Sequence, residues 1–152
     1  MKKPARDIRT FLVDTNVFIA AVKNPQKHTN TLGLLLRIID DPSIMLVGND
    51  LLVEEMLRYA QLFRSETALT ILSALLAKTD MVDIKGNYIK ACRPYISTPD
   101  KADVLHAATC LQTGSILITN DEHFDRIKEE GIIEVWDISE AIGDLEGATR
   151  RR

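Results

Sequence analysis

An α/β fold in three layers, with a central parallel sheet of four to five strands between helices, is what this sequence predicts. Three observations carry that reading. Short apolar runs alternate with segments of helical periodicity along the chain. The runs are rich in Ile, Val and Leu, as strands covered on both faces are. Strands that alternate with helices also imply right-handed crossovers and a doubly wound, parallel arrangement.

In chain order the strand segments are Thr10–Val13, Ile44–Val47, Met81–Ile84, Ser115–Ile118 and Ile133–Trp136. Between them, helical spacing covers Val17–Val22, Leu32–Ile39, Asp50–Phe63, Glu66–Lys78, Asp100–Gln112 and Glu122–Glu129. A shorter helical segment spans Asn87–Tyr95. Thr98-Pro99-Asp100 reads as an N-cap, a proline at the first helical position and an acid in the first turn. Gly114 stands where that helix should stop. No repeat or Pro/Gly-rich linker divides the chain, so residues 1–152 are expected to form one domain, with flexible ends at 1–9 and 147–152.

Composition narrows the function classes. Aromatics make up only 5% of the 152 residues, so the core must be largely aliphatic. The apolar runs fall far below the ~20 residues a membrane-spanning helix needs. The start MKKPARDIRT has positive charge but no apolar stretch of signal-peptide length, and a cytoplasmic protein without membrane partners is expected. Cys92 and Cys110 lack a paired-ligand spacing and read as buried, neutral thiols. A net charge of −3 argues against coating nucleic acid through broad basic faces. It is compatible with an enzyme that grips a phosphodiester through metal ions and a few local cations.

Four acids stand out. Parallel sheets place their sites beyond the carboxyl ends of the strands, and Asp14 and Asp121 fall at two such ends. Capping the following helix is the plain alternative for each. Asp103 lies one turn into its helix, beside the apolar stripe Val104, Ala107, Ala108 and Leu111. The helix dipole favours an acid there, but Asp100 already occupies the first turn in this reading, and a second acid at an apolar margin is costly to desolvate. The fourth is Glu55 rather than Glu54. The stripe Leu52, Met56, Tyr59, Ala60 and Phe63 leaves Glu54 pointing outward beside Arg58, whereas Glu55 flanks the stripe.

Crowded carboxylates repel, and divalent cations relieve the conflict. Hard oxygen ligands suit Mg²⁺ or Mn²⁺, which polarise a phosphoryl oxygen and lower the pKa of a water that attacks phosphorus. Thr15, Asn16, Thr119 and Asn120 flank the strand ends and are candidates to orient waters or carboxylates, with capping as their alternative. His106, three positions after Asp103, reads as a satisfied histidine at the core edge. His123 belongs to the turn after Asp121, and His28 to a loop. Arg93, Lys101, Lys2, Lys3 and Arg6 are candidate phosphate contacts, or solvated charge. No Ser/His or Cys/His arrangement competes, and there is no Walker or Rossmann glycine pattern.

Together these residues resemble the PIN domain family, the nuclease fold of VapC-type toxins and ribosomal-RNA-processing endonucleases. FLVDTNVFI is similar to its first-strand signature, with Asp14 as the first acid. LLVEEMLRYA resembles the helix bearing the second, at Glu55. ADVLHAATCLQTGSILITNDEHF aligns Asp103 with the helical aspartate and Asp121 with the acid of a Thr-x-Asp-x-x-Phe pattern. The resemblance covers roughly Phe11 to Ile138, with a long stretch between Glu55 and Asp103 as its departure. It implies Mg²⁺- or Mn²⁺-dependent cleavage of single-stranded RNA at Asp14, Glu55, Asp103 and Asp121. It also implies a homodimer or higher oligomer and, for a toxin, an antitoxin partner. One alternative is a non-catalytic PIN-like module that binds RNA or protein. Another is a phosphate-handling enzyme of the haloacid-dehalogenase or receiver type, but Asn16 stands where the former wants a second aspartate and Thr119 where the latter wants a lysine.

Overall fold

The computed structural model describes residues 8–24, 29–97 and 100–150, without the side chains of 148–150. Lys2, Lys3, Arg6, His28, Thr98 and Pro99 lie outside these. The order is β1 Arg9–Val13, α1 Thr15–Val22, α2 Asn30–Asp40, β2 Ile44–Gly48, α3 Asp50–Phe63, α4 Glu66–Ala77 and β3 Thr79–Met81. There follow α5 Gly86–Cys92 with a 3-10 turn at Arg93–Tyr95, α6 Lys101–Thr113 and β4 Ile116–Ile118. The chain ends through a 3-10 turn at Glu122–Phe124, α7 Asp125–Glu129, β5 Val135–Trp136 and α8 Ile138–Arg150.

One parallel sheet of five strands runs β3-β2-β1-β4-β5. β1 is central, and Phe11, Leu12 and Val13 are buried, which is why its sequence is apolar on both faces. From β1 the chain steps outward through β2 and β3, then crosses back to β4. Right-handed crossovers therefore place α1–α4 on one face and α5–α7 on the other. α1, α2, α3 and α4 pack on one another, α6 lies on β1, β2 and β4 with α5 against it, and α8 packs on α2 and β5. This is the three-layer arrangement the sequence predicts. Among the described residues no helix is long and apolar enough to cross a membrane.

Several boundaries differ from the sequence reading. β3 is Thr79–Met81 rather than Met81–Ile84. Its start is set by Lys78, whose ammonium donates to the carbonyls of Ile38, Ile39 and Asp41 where α2 ends. This edge strand is exposed or half-buried, so apolar density points instead to Val82 and Ile84, which pack on the core beyond the ladder. The fifth strand shortens to Val135–Trp136. α6 starts at Lys101, because Asp100 is its N-cap and accepts from the Ala102 N–H. Asp103 thereby becomes the first-turn acid. Residues Glu122–Glu129 split into a 3-10 turn and a short helix. α8 is a helix that the sequence reading did not assign.

α6 stops at Gly114, whose φ of 67° lies in the left-handed region and whose N–H bonds to the Cys110 carbonyl. A Cβ built there meets nothing within 4 Å, so Gly114→Ala tests the backbone alone. It is expected to cost about 1–2 kcal/mol in urea unfolding. An unchanged midpoint would show that the left-handed cap contributes nothing.

Candidate metal centre

β1 and β4 are neighbours, yet the chain leaves them on opposite sides of the sheet. Such a reversal opens a crevice beyond the strand ends. Asp14 stands at the carboxyl end of β1, with its N–H bonded to the Ile118 carbonyl at 3.0 Å.

Asp14 occupies the N-cap position of α1 but makes no side-chain capping bond, so the capping explanation does not account for its carboxylate. Its Oδ2 accepts instead from the Thr119 hydroxyl at 2.7 Å. At 4% exposure, desolvation raises its pKa, opposed in part by that hydrogen bond. The same Thr119 oxygen accepts from the Asp121 N–H at 3.0 Å. One hydroxyl thus couples the two strand-end acids. Asp121 does cap: its Oδ1 accepts from the His123 N–H, while its Oδ2 takes Asn16 Nδ2 at 3.4 Å.

Asp103 is 7% exposed. The dipole at the start of α6 favours its charge, but burial outweighs that and pushes its pKa up to about 6, against the His123 hydrogen bond. Asp100, Asp14 and Asp121 raise it further through charge repulsion. The apolar stripe expected on this helix is too narrow a description. Ala102, Asp103, Val104 and His106–Cys110 are all buried, because α6 is packed from the sheet, α3 and α5.

From α3, Glu54 points to solvent and Glu55 is half-buried. Glu55 Oε1 accepts from the Thr15 hydroxyl at 3.5 Å and lies 3.1 Å from His106 Nε2. The four acids therefore arrive from four elements. Thr119 joins Asp14 to Asp121, and Glu55 reaches the group through Thr15, the residue after Asp14.

His123 was not among the sequence-selected site residues. Its Nδ1 lies 3.0 Å from Asp103 and 3.1 Å from Asp121, and these carboxylates raise its pKa, led by the Asp103 hydrogen bond. Asp103, Asp121 and His123 offer ligand atoms within 4.8 Å of one another. The available signal was the Asp-x-His spacing, in which an aspartate-capped turn folds the histidine back over the acid. Arg93, at the start of the 3-10 turn after α5, and Lys101, the first residue of α6, are exposed candidate phosphate contacts.

No curated protein matches the chain. Among solved structures, it resembles a chain of VapBC2 from Rickettsia felis, solved with a DNA fragment from its promoter, at a TM-score of 0.58 and 16% identity. That likeness covers 84% of this chain and 98% of the other. It also resembles a chain of VapBC-1 from nontypeable Haemophilus influenzae, at a TM-score of 0.57 and 18% identity, over 86% of this chain and 98% of that one. Identities this low speak to the fold. The PIN domain family model matches residues 11–130, which include all four acids. Members of that family are generally nucleases. The match spans most of the sequence, and the chain belongs to the PIN domain family.

Proposed function

We propose that the protein is a divalent-metal-dependent endoribonuclease that hydrolyses phosphodiester bonds in single-stranded RNA. The observation that carries this reading is the meeting of Asp103, Asp121 and His123, whose ligand atoms lie within 4.8 Å of one another, with Asp14 tied to Asp121 through Thr119 and Glu55 bonded to Thr15, the residue after Asp14. Burial makes the charges of Asp14 and Asp103 costly. A site built this way is stabilised by a cation. The donor set fits Mg²⁺ or Mn²⁺, since it is dominated by carboxylate oxygens, with His123 adding a nitrogen that Mn²⁺ tolerates better than Mg²⁺. Bound there, the ion polarises a phosphoryl oxygen and lowers the pKa of water.

The four acids hold the ions, directly or through water. Thr119 and Asn16 keep Asp14 and Asp121 in place, and Thr15 does the same for Glu55. Arg93 and Lys101, both exposed, are the candidate contacts for phosphates of an entering strand. The fold shared with the VapBC2 and VapBC-1 chains, together with the resemblance to VapC-type toxins, favours a cytoplasmic toxin that works as a homodimer and is held by an antitoxin protein.

The test uses labelled RNA with wild type and Asp14→Asn, each with Mn²⁺ and with chelator. Cleavage by wild type with Mn²⁺ alone, reduced at least about 100-fold in Asp14→Asn, is the expected result. Equal cleavage by both proteins, or cleavage that survives chelation, would sink the mechanism. A folded wild type that takes up no Mn²⁺ in calorimetry would point to a non-catalytic module.

A further inference from the structure

We propose that His106 is a positioning residue for Glu55, locked by Asn49 in the tautomer that carries its proton on Nε2. The inference rests on the proposed role of Glu55 as a metal ligand, but its structural half stands without it. His106 is 1% exposed, and its two ring nitrogens face different partners. Nε2 lies 3.1 Å from Glu55 Oε1, and Nδ1 lies 3.1 Å from Asn49 Nδ2.

Donor counting decides which nitrogen holds the proton. Asn49 is the N-cap of α3, and the Leu52 N–H donates to its Oδ1 at 2.9 Å. A backbone N–H can only donate, so the atom it meets is the amide oxygen and the amide orientation is fixed. The other atom, Nδ2, has two hydrogens. One goes to Thr109 Oγ1 at 3.0 Å, an oxygen whose own hydrogen is given to the Leu105 carbonyl at 2.8 Å. The second goes to His106 Nδ1, which must therefore accept. The ring proton is left to Nε2, which donates it to Glu55.

A helix cap thus reaches the metal centre. The Asn49 side chain that starts α3 also sets the histidine of α6, and that histidine orients an acid two turns along α3. Both hydrogen bonds to Glu55 fall on Oε1, one from His106 and one from Thr15, and neither on Oε2. Outer partners of this kind orient a ligand and tune its basicity. Plain packing of a buried imidazole would be indifferent to which nitrogen carries the proton.

Two measurements test it on the full chain. Nitrogen-15 NMR of the metal-free protein should show a pyrrole-type Nε2 and a pyridine-type Nδ1 for His106. In Asn49→Asp, nearly unchanged in volume, the carboxylate should draw a proton onto Nδ1. A protonated Nδ1 in wild type, or a pattern unmoved by Asn49→Asp, would overturn the lock. His106→Leu should lower Mn²⁺ affinity or kcat by about 10- to 100-fold with KM for RNA nearly unchanged. His106→Gln, whose amide N–H can replace that of Nε2, should recover most of the loss. Equal losses in the Leu and Gln variants would reduce His106 to packing. If wild type neither binds Mn²⁺ nor cuts RNA, the ribonuclease reading fails, and the NMR result still decides the tautomer.

Discussion

Asp103→Asn is expected to stabilise the metal-free protein at neutral pH and, on the proposed function, to abolish RNA cleavage. The carboxyl of Asp103 is raised from 3.8 to about 6 by burial. A carboxyl with a higher pKa in the folded state favours folding where it is protonated. That contribution is fully present below 3.8 and is lost as pH rises through about 6. Above this window wild type carries a buried charge that asparagine lacks. The penalty is on the order of 1–3 kcal/mol at ~1.4 kcal/mol per pH unit, which corresponds to a rise of several degrees in melting temperature. Thermal melts between pH 4 and 8 should show the two proteins diverging as the pH increases. Mn²⁺ should reverse the order, because it stabilises only a protein that binds it. Cleavage should fall by about a thousandfold, roughly 4 kcal/mol of transition-state stabilisation. A variant less stable than wild type at neutral pH without metal would mean that Asp103 serves the fold rather than a site.

Phe11→Ala should have the largest cost to stability, about 3–5 kcal/mol, out of a total of order 5–15 kcal/mol. Phe11 is fully buried on the central strand and pairs with Leu46 on β2 and Ile116 on β4. Its ring centre lies 5.5 Å from that of Trp136, and the Arg9 guanidinium sits over both rings. Truncation leaves a cavity where three strands meet, and a rigid sheet closes it poorly. Urea unfolding with an unchanged slope and a much lower midpoint is the expected outcome. A loss below about 1 kcal/mol would mean that the sheet relaxes into the gap.

These two positions also divide what was legible in the sequence. Phe11 was readable because a central parallel strand must be apolar on both faces, and its neighbours Leu12 and Val13 say the same. Glu55 was separable from Glu54 by helical phase alone, and the structure puts Glu54 in solvent and Glu55 beside Thr15 and His106. β3 was misplaced because an exposed edge strand carries little apolar signal. α8 was passed over: Gly143 and Gly147 weaken its local propensity, and packing on α2 and β5 supplies what propensity lacks.

By itself the sequence determined the layer architecture, the central strand and the location of Asp14 and Asp121 at strand ends. Those follow from periodicity, which is local. Only the tertiary structure decided that the Asp14 side chain makes no capping bond, that Thr119 ties it to Asp121, and that His123 folds back onto Asp103 and Asp121. It alone joined Asn49 to His106 and His106 to Glu55, across 57 and 51 positions of chain. Hydrogen bonds and desolvation depend on distances of a few ångströms between elements far apart in the chain, and no local pattern encodes them.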